Sequence, residues 1–216
     1  MKIGIQSDIK KFTKKWDKTR KKEIPSIIRN TLNDLAKGAR IELQRTLPKY
    51  VDRPTKFTVN SVFFEETDKI KLQSRVGFLS SKFPKKARRR NIGTYPSDYM
   101  SFLIRGGTRL PKKKYIAVPT EHYKTNRYGN IKRNDIAKLL SNPKYFSGVS
   151  RKGNFGIYKR LKKKIKMVIG WETQAVYKGG KYPFNSIVSY YIKRNFRKKF
   201  IKNFKQVFAR KGISPR

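Results

Sequence analysis

The stretch FRKKFIKNFKQVFARKG, residues 196–212, sets Phe196, Phe200, Phe204 and Phe208 four residues apart among lysines and arginines. No acidic residue follows Glu172. Large apolar side chains at this spacing follow a helical period, so the segment reads as a helix with a basic back. At about 100° per residue, Phe196, Phe200, Phe204 and Val207 share one side. Phe184, Ile187, Val188 and Tyr191 fall on nearly the opposite side. One continuous helix over 184–208 would therefore carry two apolar faces; a kink near Asn195, or a strand over 186–192, accounts for the switch equally well. The side with Phe196, Phe200 and Phe204 reads as the chain's own core, because large aromatics bury the most area. Phe184, Ile187, Val188 and Tyr191 are then candidates for a surface turned to a neighbouring subunit. Arg197, Lys198 and Lys202 lie towards solvent or DNA.

Upstream, Ile9, Phe12 and Trp16 stand at helical spacing in a Lys-rich frame. Pro25 suits a first helical turn, and Ile28, Leu32, Leu35, Ala39 and Leu43 form an apolar stripe, so 25–47 reads as a helix ending before Pro48. VFFEETDKIKLQSRVGF reads as a β-hairpin turning near Asp68 and Lys69. Residues 80–93 and NPKYFSGVSRKGN (142–154) read as basic loop insertions. SDYMSFLIRGG suggests a helix capped by Ser97 and stopped by Gly106. KKYIAVPT is a strand, NRYGNIKRNDIAKLLS a turn and short helix, and FGIYKRLKKKIKMVIGWE two strands joined near Lys162–Lys164. The expected fold is α+β: one domain over 1–216, an antiparallel sheet packed with a long N-terminal helix and a long basic C-terminal helix.

Charge is the dominant fact of composition. The chain has 216 residues and a formal net charge of +43, and a compact body so charged repels itself and suits work beside a polyanion. Nucleic acid comes first, an anionic membrane second, acidic proteins third; a generally Lys-rich proteome would supply part of the excess. The runs KKARRR (Lys85, Lys86, Arg88, Arg89, Arg90) and LKKKIK (Lys162, Lys163, Lys164) can neutralise phosphates without reading sequence, although a charge run is often only a solvated face. Phe opposite Lys is also an interfacial pattern, but helices packed on a sheet share it, and no membrane partner is expected. Helix–turn–helix, zinc-finger and RNA-recognition signatures are absent.

Catalytic groupings are thin. There is no cysteine, which removes disulfides and thiolate metal sites. No apolar stretch of membrane-spanning length and no signal-peptide core stands out, so the chain reads as soluble and unprocessed. The one histidine, His122, reads as a solvated loop residue and leaves no His-paired nucleophile. The densest acids are Glu65, Glu66 and Asp68 on the expected hairpin; a two-metal nuclease would need acids converging from separate elements, and charge balance is the simpler role. Gly106–Gly107 and Gly179–Gly180 lack the context of a phosphate-binding loop and read as helix stops or tight turns. Tyr128, Gly129 and Asn130 read as a turn. No cofactor and no metal is expected.

IIRNTLNDLAKGARIELQRTLPKYVDRPTKFTVNSV resembles the opening of the tail completion, or minor tail protein Z, family of long-tailed bacteriophages. A helix with an A-x-N-x-x-A-like core there precedes a D-x-P-T-x-F-T-x-N segment; Thr31, Asn33 and Ala36 fill the first, and Asp52, Pro54, Thr55, Phe57, Thr58 and Asn60 the second. FLIRGGTR, AVPTEH, RYGNIKRNDIAKLLS and GIYKR follow in the order such proteins show, and YPF leads into a long basic helix. Thr31 stands where a smaller residue is expected. The resemblance spans roughly 25–208. It implies a non-enzymatic virion protein at the head-proximal end of the tail, in a six-fold ring around the DNA channel. Partners would be copies of itself, a tail terminator or tail tube protein, head–tail connector or adaptor proteins, and packaged DNA held non-specifically. The other classes are a free nucleic-acid-binding protein without a ring role and a small nuclease.

Overall fold

A computed structural model describes residues 23–67, 72–82, 94–112 and 114–210. The segment around Ile9, Phe12 and Trp16, the hairpin turn at Asp68 and Lys69, and the run Lys85, Lys86, Arg88, Arg89, Arg90 lie outside the described residues. The fold class is α+β. The chain forms two compact units, and the polypeptide enters each more than once. Of the described residues, those up to Tyr50, those within Lys56–Met100 and those from Tyr182 make one; those of Val51–Thr55 and Ser101–Lys181 make the other.

The first unit is organised by two helices. Helix α1 (Glu23–Tyr50) buries Ile27, Thr31, Leu35, Ala39, Leu43 and Leu47, a row at four-residue spacing that presents one apolar ridge. Thr31 is tolerated within it because its hydroxyl donates to the Ile27 carbonyl at 2.8 Å. The helix passes through Pro48 and ends at Tyr50, three residues beyond the expected stop. After the short helix α2 (Lys56–Asn60), strands β1 (Val62–Glu65) and β2 (Arg75–Phe78) form the expected antiparallel hairpin. Helix α1 holds it at two points. Arg40 Nε donates to the Val62 carbonyl at 3.1 Å. At the loop end, Asn33 Oδ1 accepts from the Thr67 amide at 2.8 Å and from the Ser74 hydroxyl at 3.0 Å.

Residues 184–209 form one unbroken helix, labelled α5 below (Phe184–Ala209); neither a kink nor a strand interrupts it. It runs antiparallel to α1. The Tyr182 hydroxyl donates to the Leu43 carbonyl at 3.0 Å, Tyr191 lies on Gly38, Asn203 Nδ2 donates to Asp34 Oδ2 at 3.2 Å, and Val207 and Phe208 pack on Ile27. The buried positions therefore migrate around α5 along its length, as a stripe following inclined four-residue rows must. Both apolar faces are used inside the chain. Phe184 and Val188, expected on a neighbour-facing surface, are core residues, 4% and 1% exposed. Phe184 packs on Phe78 and Tyr182, with ring centroids 5.9 and 6.4 Å apart. Ile187 and Tyr191 are half-buried. Of the expected core side, Val207 is buried in a cluster with Ile27 and Phe208, Phe200 and Phe204 flank that cluster, and Phe196 is 39% exposed.

The second unit is built on a four-stranded antiparallel sheet, ordered β4 (Ile116–Pro119), β7 (Ile165–Glu172), β6 (Phe155–Arg160), β5 (Tyr145–Val149). Strand β5 comes from the segment expected to be a loop; three β-favouring residues, Tyr145, Phe146 and Val149, make it the sheet's edge. Opposite Ile157 and Tyr158 the register slips by one on β7. That bulge turns Val168 and its neighbour Ile169 into the same core with Ile157, which strict alternation forbids. Ile136 and Leu139 of helix α4 (Asp135–Ser141), with Tyr123 and Ile131 from the preceding loop, cover this cluster.

Helix α3 (Pro96–Arg105) begins one residue before Ser97 and stops at Gly106, whose φ is 81°. Strands β3 (Gly107–Arg109) and β8 (Ala175–Tyr177) pair beside it. Here the two Gly-Gly pairs meet. A Cβ at Gly106 would lie 2.6 Å from the Gly179 nitrogen, and one at Gly179 would lie 2.5 Å from the Arg105 carbonyl oxygen. These glycines permit two backbones to cross in contact, a role beyond stopping a helix.

Candidate nucleic-acid interface

From Ile136 to Trp171 the sequence contains no Asp or Glu, and this span supplies all of β5 and β6 and nearly all of β7. At one end of the sheet seven of its ten cations converge, Arg151 and Lys152 lying in the turn at the opposite end and Lys138 on α4. Lys159 on β6 stands directly opposite Lys166 on β7. The Arg160 amide donates to the Lys144 carbonyl at 2.8 Å, which brings the start of β5 alongside. The β6–β7 connection is closed by the Leu161 amide donating to the Lys164 carbonyl at 2.9 Å. That bond leaves Lys162 and Lys163 at the tip, and all three lysines of the turn are exposed.

Aromatic side chains of β5 hold two of these cations. The Lys159 ammonium lies 5.9 Å from the centroid of the Tyr145 ring, its cross-strand partner. The Arg160 guanidinium lies 4.8 Å above Phe146, which stacks on Tyr158 at 5.7 Å. The Tyr158 hydroxyl in turn donates to the Asn154 carbonyl at 2.6 Å. Successive residues point to opposite faces of a strand, so Lys159 and Arg160 present held charges on both faces of the sheet end. Among the described residues no ion pair involves any cation of this group.

A second basic surface runs along α5 in the first unit. Arg194, Arg197, Lys198, Lys202 and Lys205 are exposed, with Tyr190 and Ile201 among them at 66% and 42% exposure. Arg197, Lys198 and Lys202 therefore stand in solvent.

The residues behind the family resemblance serve packing and positioning. Thr31 and Ala36 are buried in α1, and Asn33 fastens the hairpin. The Thr58 and Tyr99 hydroxyls share a hydrogen bond of 2.9 Å. Asp52 takes three hydrogen bonds from Arg53, the shortest 2.8 Å, and this bonding holds its carboxyl below the usual carboxylate range. Phe57 is 48% exposed. Tyr182 of the YPF motif is fully buried, and burial pushes its phenol up to about 12. His122 is exposed, with Nε2 3.3 Å from the Glu121 carboxylate. Glu65 pairs across the hairpin with Arg75 at 4.0 Å, while Glu66 is exposed. Among the described residues no three His, Cys, Asp or Glu side chains are grouped to hold a metal ion. None of their helices is long and apolar enough to cross a membrane.

The aromatic clamps were missed at the sequence level because Tyr145 and Phe146 lay in a segment read as a loop. Their signal was available: two aromatics and a valine within five residues is strand composition. No family model, curated protein or solved structure matches the chain.

Proposed function

We propose that this chain is a non-enzymatic structural protein of a phage tail or neck, a ring-forming tail completion subunit at the head-proximal end of the tail, beside the path of the DNA. The observation that carries the DNA part is the acid-free span 136–171, folded so that seven of its ten cations gather at one sheet end. The virion part is supported by the ordered motifs from Thr31 to Phe184. It is supported too by the work their side chains do, since Asn33, Thr58 and Tyr182 tie elements together. In this reading the neighbours are further copies in a six-fold ring, a tail terminator or tail tube protein, a head–tail connector or adaptor protein, and packaged DNA held without sequence preference. The protein belongs to the virion and passes through host cytoplasm during assembly.

Because Phe184 and Val188 are core, the subunit contact draws on other apolar side chains. Leu110 and Val176 are the most exposed large ones, at 69% and 73%. A second reading, a free nucleic-acid-binding protein, uses the same basic sheet end and needs no ring. Locating the chain in an electron-microscopy map of the particle separates them: six copies in mutual contact at the tail–head junction are expected. A chain touching no copy of itself removes the ring role.

A further inference from the structure

We propose that nucleic-acid phosphates are taken at the sheet end formed by Lys144, Lys159, Arg160, Lys166 and the Lys162–Lys164 turn, and that the bound polyanion relieves the repulsion between Lys159 and Lys166. The inference rests on the reading of the chain as a DNA-adjacent protein and is independent of its ring role. Lys159 and Lys166 are register partners, and like charges directly opposite on neighbouring strands are destabilising. With no acid between Asp135 and Glu172, none of the three strands β5, β6 and the adjoining part of β7 supplies a counter-charge. A local conflict that the fold leaves standing marks a site shaped by something other than stability.

The rings of Tyr145 and Phe146 sharpen the argument. They hold the head groups of Lys159 and Arg160, so less side-chain freedom is lost when an anion arrives. Those rings are already occupied by cations and by Tyr158, which leaves backbone phosphate as the contact and makes the site indifferent to sequence. An anionic membrane is the less suitable partner. The tip itself is Lys162 and Lys163, flanked by Leu161 and Ile165 at 38% and 60% exposure, whereas interfacial insertion leads with bulky apolar side chains.

The test uses the full chain and fluorescent 20-base-pair duplexes of two unrelated sequences, titrated at about 50 to 200 mM NaCl. Equal affinity for both duplexes and a steep salt dependence are expected. Lys166→Glu should raise the melting temperature, by converting repulsion into a cross-strand ion pair, and lower DNA affinity several-fold. A solvated face without a ligand would give the first effect alone, and unchanged affinity overturns the proposal. Replacing Lys162, Lys163 and Lys164 together by Gln should cost about ten-fold or more and flatten the log–log salt slope by roughly 0.9 for each phosphate no longer neutralised. Arg197, Lys198 and Lys202 changed together to Gln should cost less. If that α5 variant abolishes binding and the turn variant binds like wild type, the proposed site is wrong while the DNA-adjacent reading stands. If the wild-type chain binds no duplex at the lowest salt, both fall. Tighter binding to phosphatidylserine-containing vesicles than to duplex also overturns the site's assignment to nucleic acid.

Discussion

At the scale of single residues, two contacts between α1 and the C-terminal segment are defined closely enough to test. Tyr182 is fully buried, its hydroxyl on the Leu43 carbonyl, and burial raises its pKa from the ordinary 10 to about 12. The folded state therefore favours the neutral phenol. Its contribution is fully present below the unfolded value and is lost as pH rises through the folded one, a window of pH 10 to 12. Tyr182→Phe should cost about 1 kcal/mol near neutral pH, because the hydrogen bond to Leu43 goes with the hydroxyl. The wild-type advantage should then shrink or reverse across that alkaline window, read as the difference between the two melting curves; lysine titration is common to both and cancels. Gly38 is the other case. A Cβ there would fall 1.8 Å from the Tyr191 hydroxyl oxygen and 2.4 Å from the ring carbon bearing it. Helix propensity alone favours Ala by about 1 kcal/mol, yet Gly38→Ala should lower stability, because the Tyr191 ring must move off the helix. Truncating Tyr191 to Ala should make the same change at Gly38 stabilising. If Gly38→Ala stabilises with Tyr191 intact, the close approach of the helices is wrong.

At the scale of elements, α5 shows what a helical wheel can and cannot reveal. The wheel gives two opposed apolar groups correctly, but it cannot say that one antiparallel partner meets both in succession. Phe184 is buried against Tyr182 and Phe78, and Phe208 against Ile27 near the start of α1. Burial therefore sets an energetic order among the phenylalanines. Phe208→Ala should cost roughly 3–5 kcal/mol as a buried aromatic, and Phe196→Ala, 39% exposed, well under half of that, with Phe200→Ala between them. Urea denaturation of the three variants checks the order; equal losses would mean that Phe196 is buried by something beyond the described residues. Strand β7 holds a similar lesson. Its alternation is legible in IKMVIGWE, but the bulge that buries both Val168 and Ile169 depends on β6 as a partner and leaves no mark in local sequence. Strands β3 and β8, three residues each, are too short for periodicity to declare, and their pairing depends on the distant crossing of Gly106 and Gly179. The basic half of the proposed interface was legible as LKKKIK; its aromatic half required knowing that Tyr145 and Phe146 sit in register beside Lys159 and Tyr158.

At the scale of the whole molecule, the net charge of +43 makes a prediction that no single contact makes. The ion pairs resolved are mostly local or exposed: Arg45 with Glu42 one turn away, Arg53 with its neighbour Asp52, and His122 with Glu121. Such pairs contribute about 0–1 kcal/mol each, too little to offset repulsion among so many uncompensated lysines and arginines. Added salt should therefore screen more repulsion than attraction. The Debye length falls from about 10 Å at 0.1 M to about 3 Å at 1 M, so the melting temperature should rise as NaCl increases over that range, whereas a protein held by ion pairs would soften. A short inorganic polyphosphate should produce the rise at far lower ionic strength, because it neutralises charge by binding where it is densest. Lys166→Glu should make that polyphosphate response smaller without removing the NaCl response, since screening acts on the whole charge and binding on one sheet end. A melting temperature that falls with NaCl would mean that attractive networks outweigh the repulsion, and the account of this chain as a body whose charge is completed by a polyanion would fail with it.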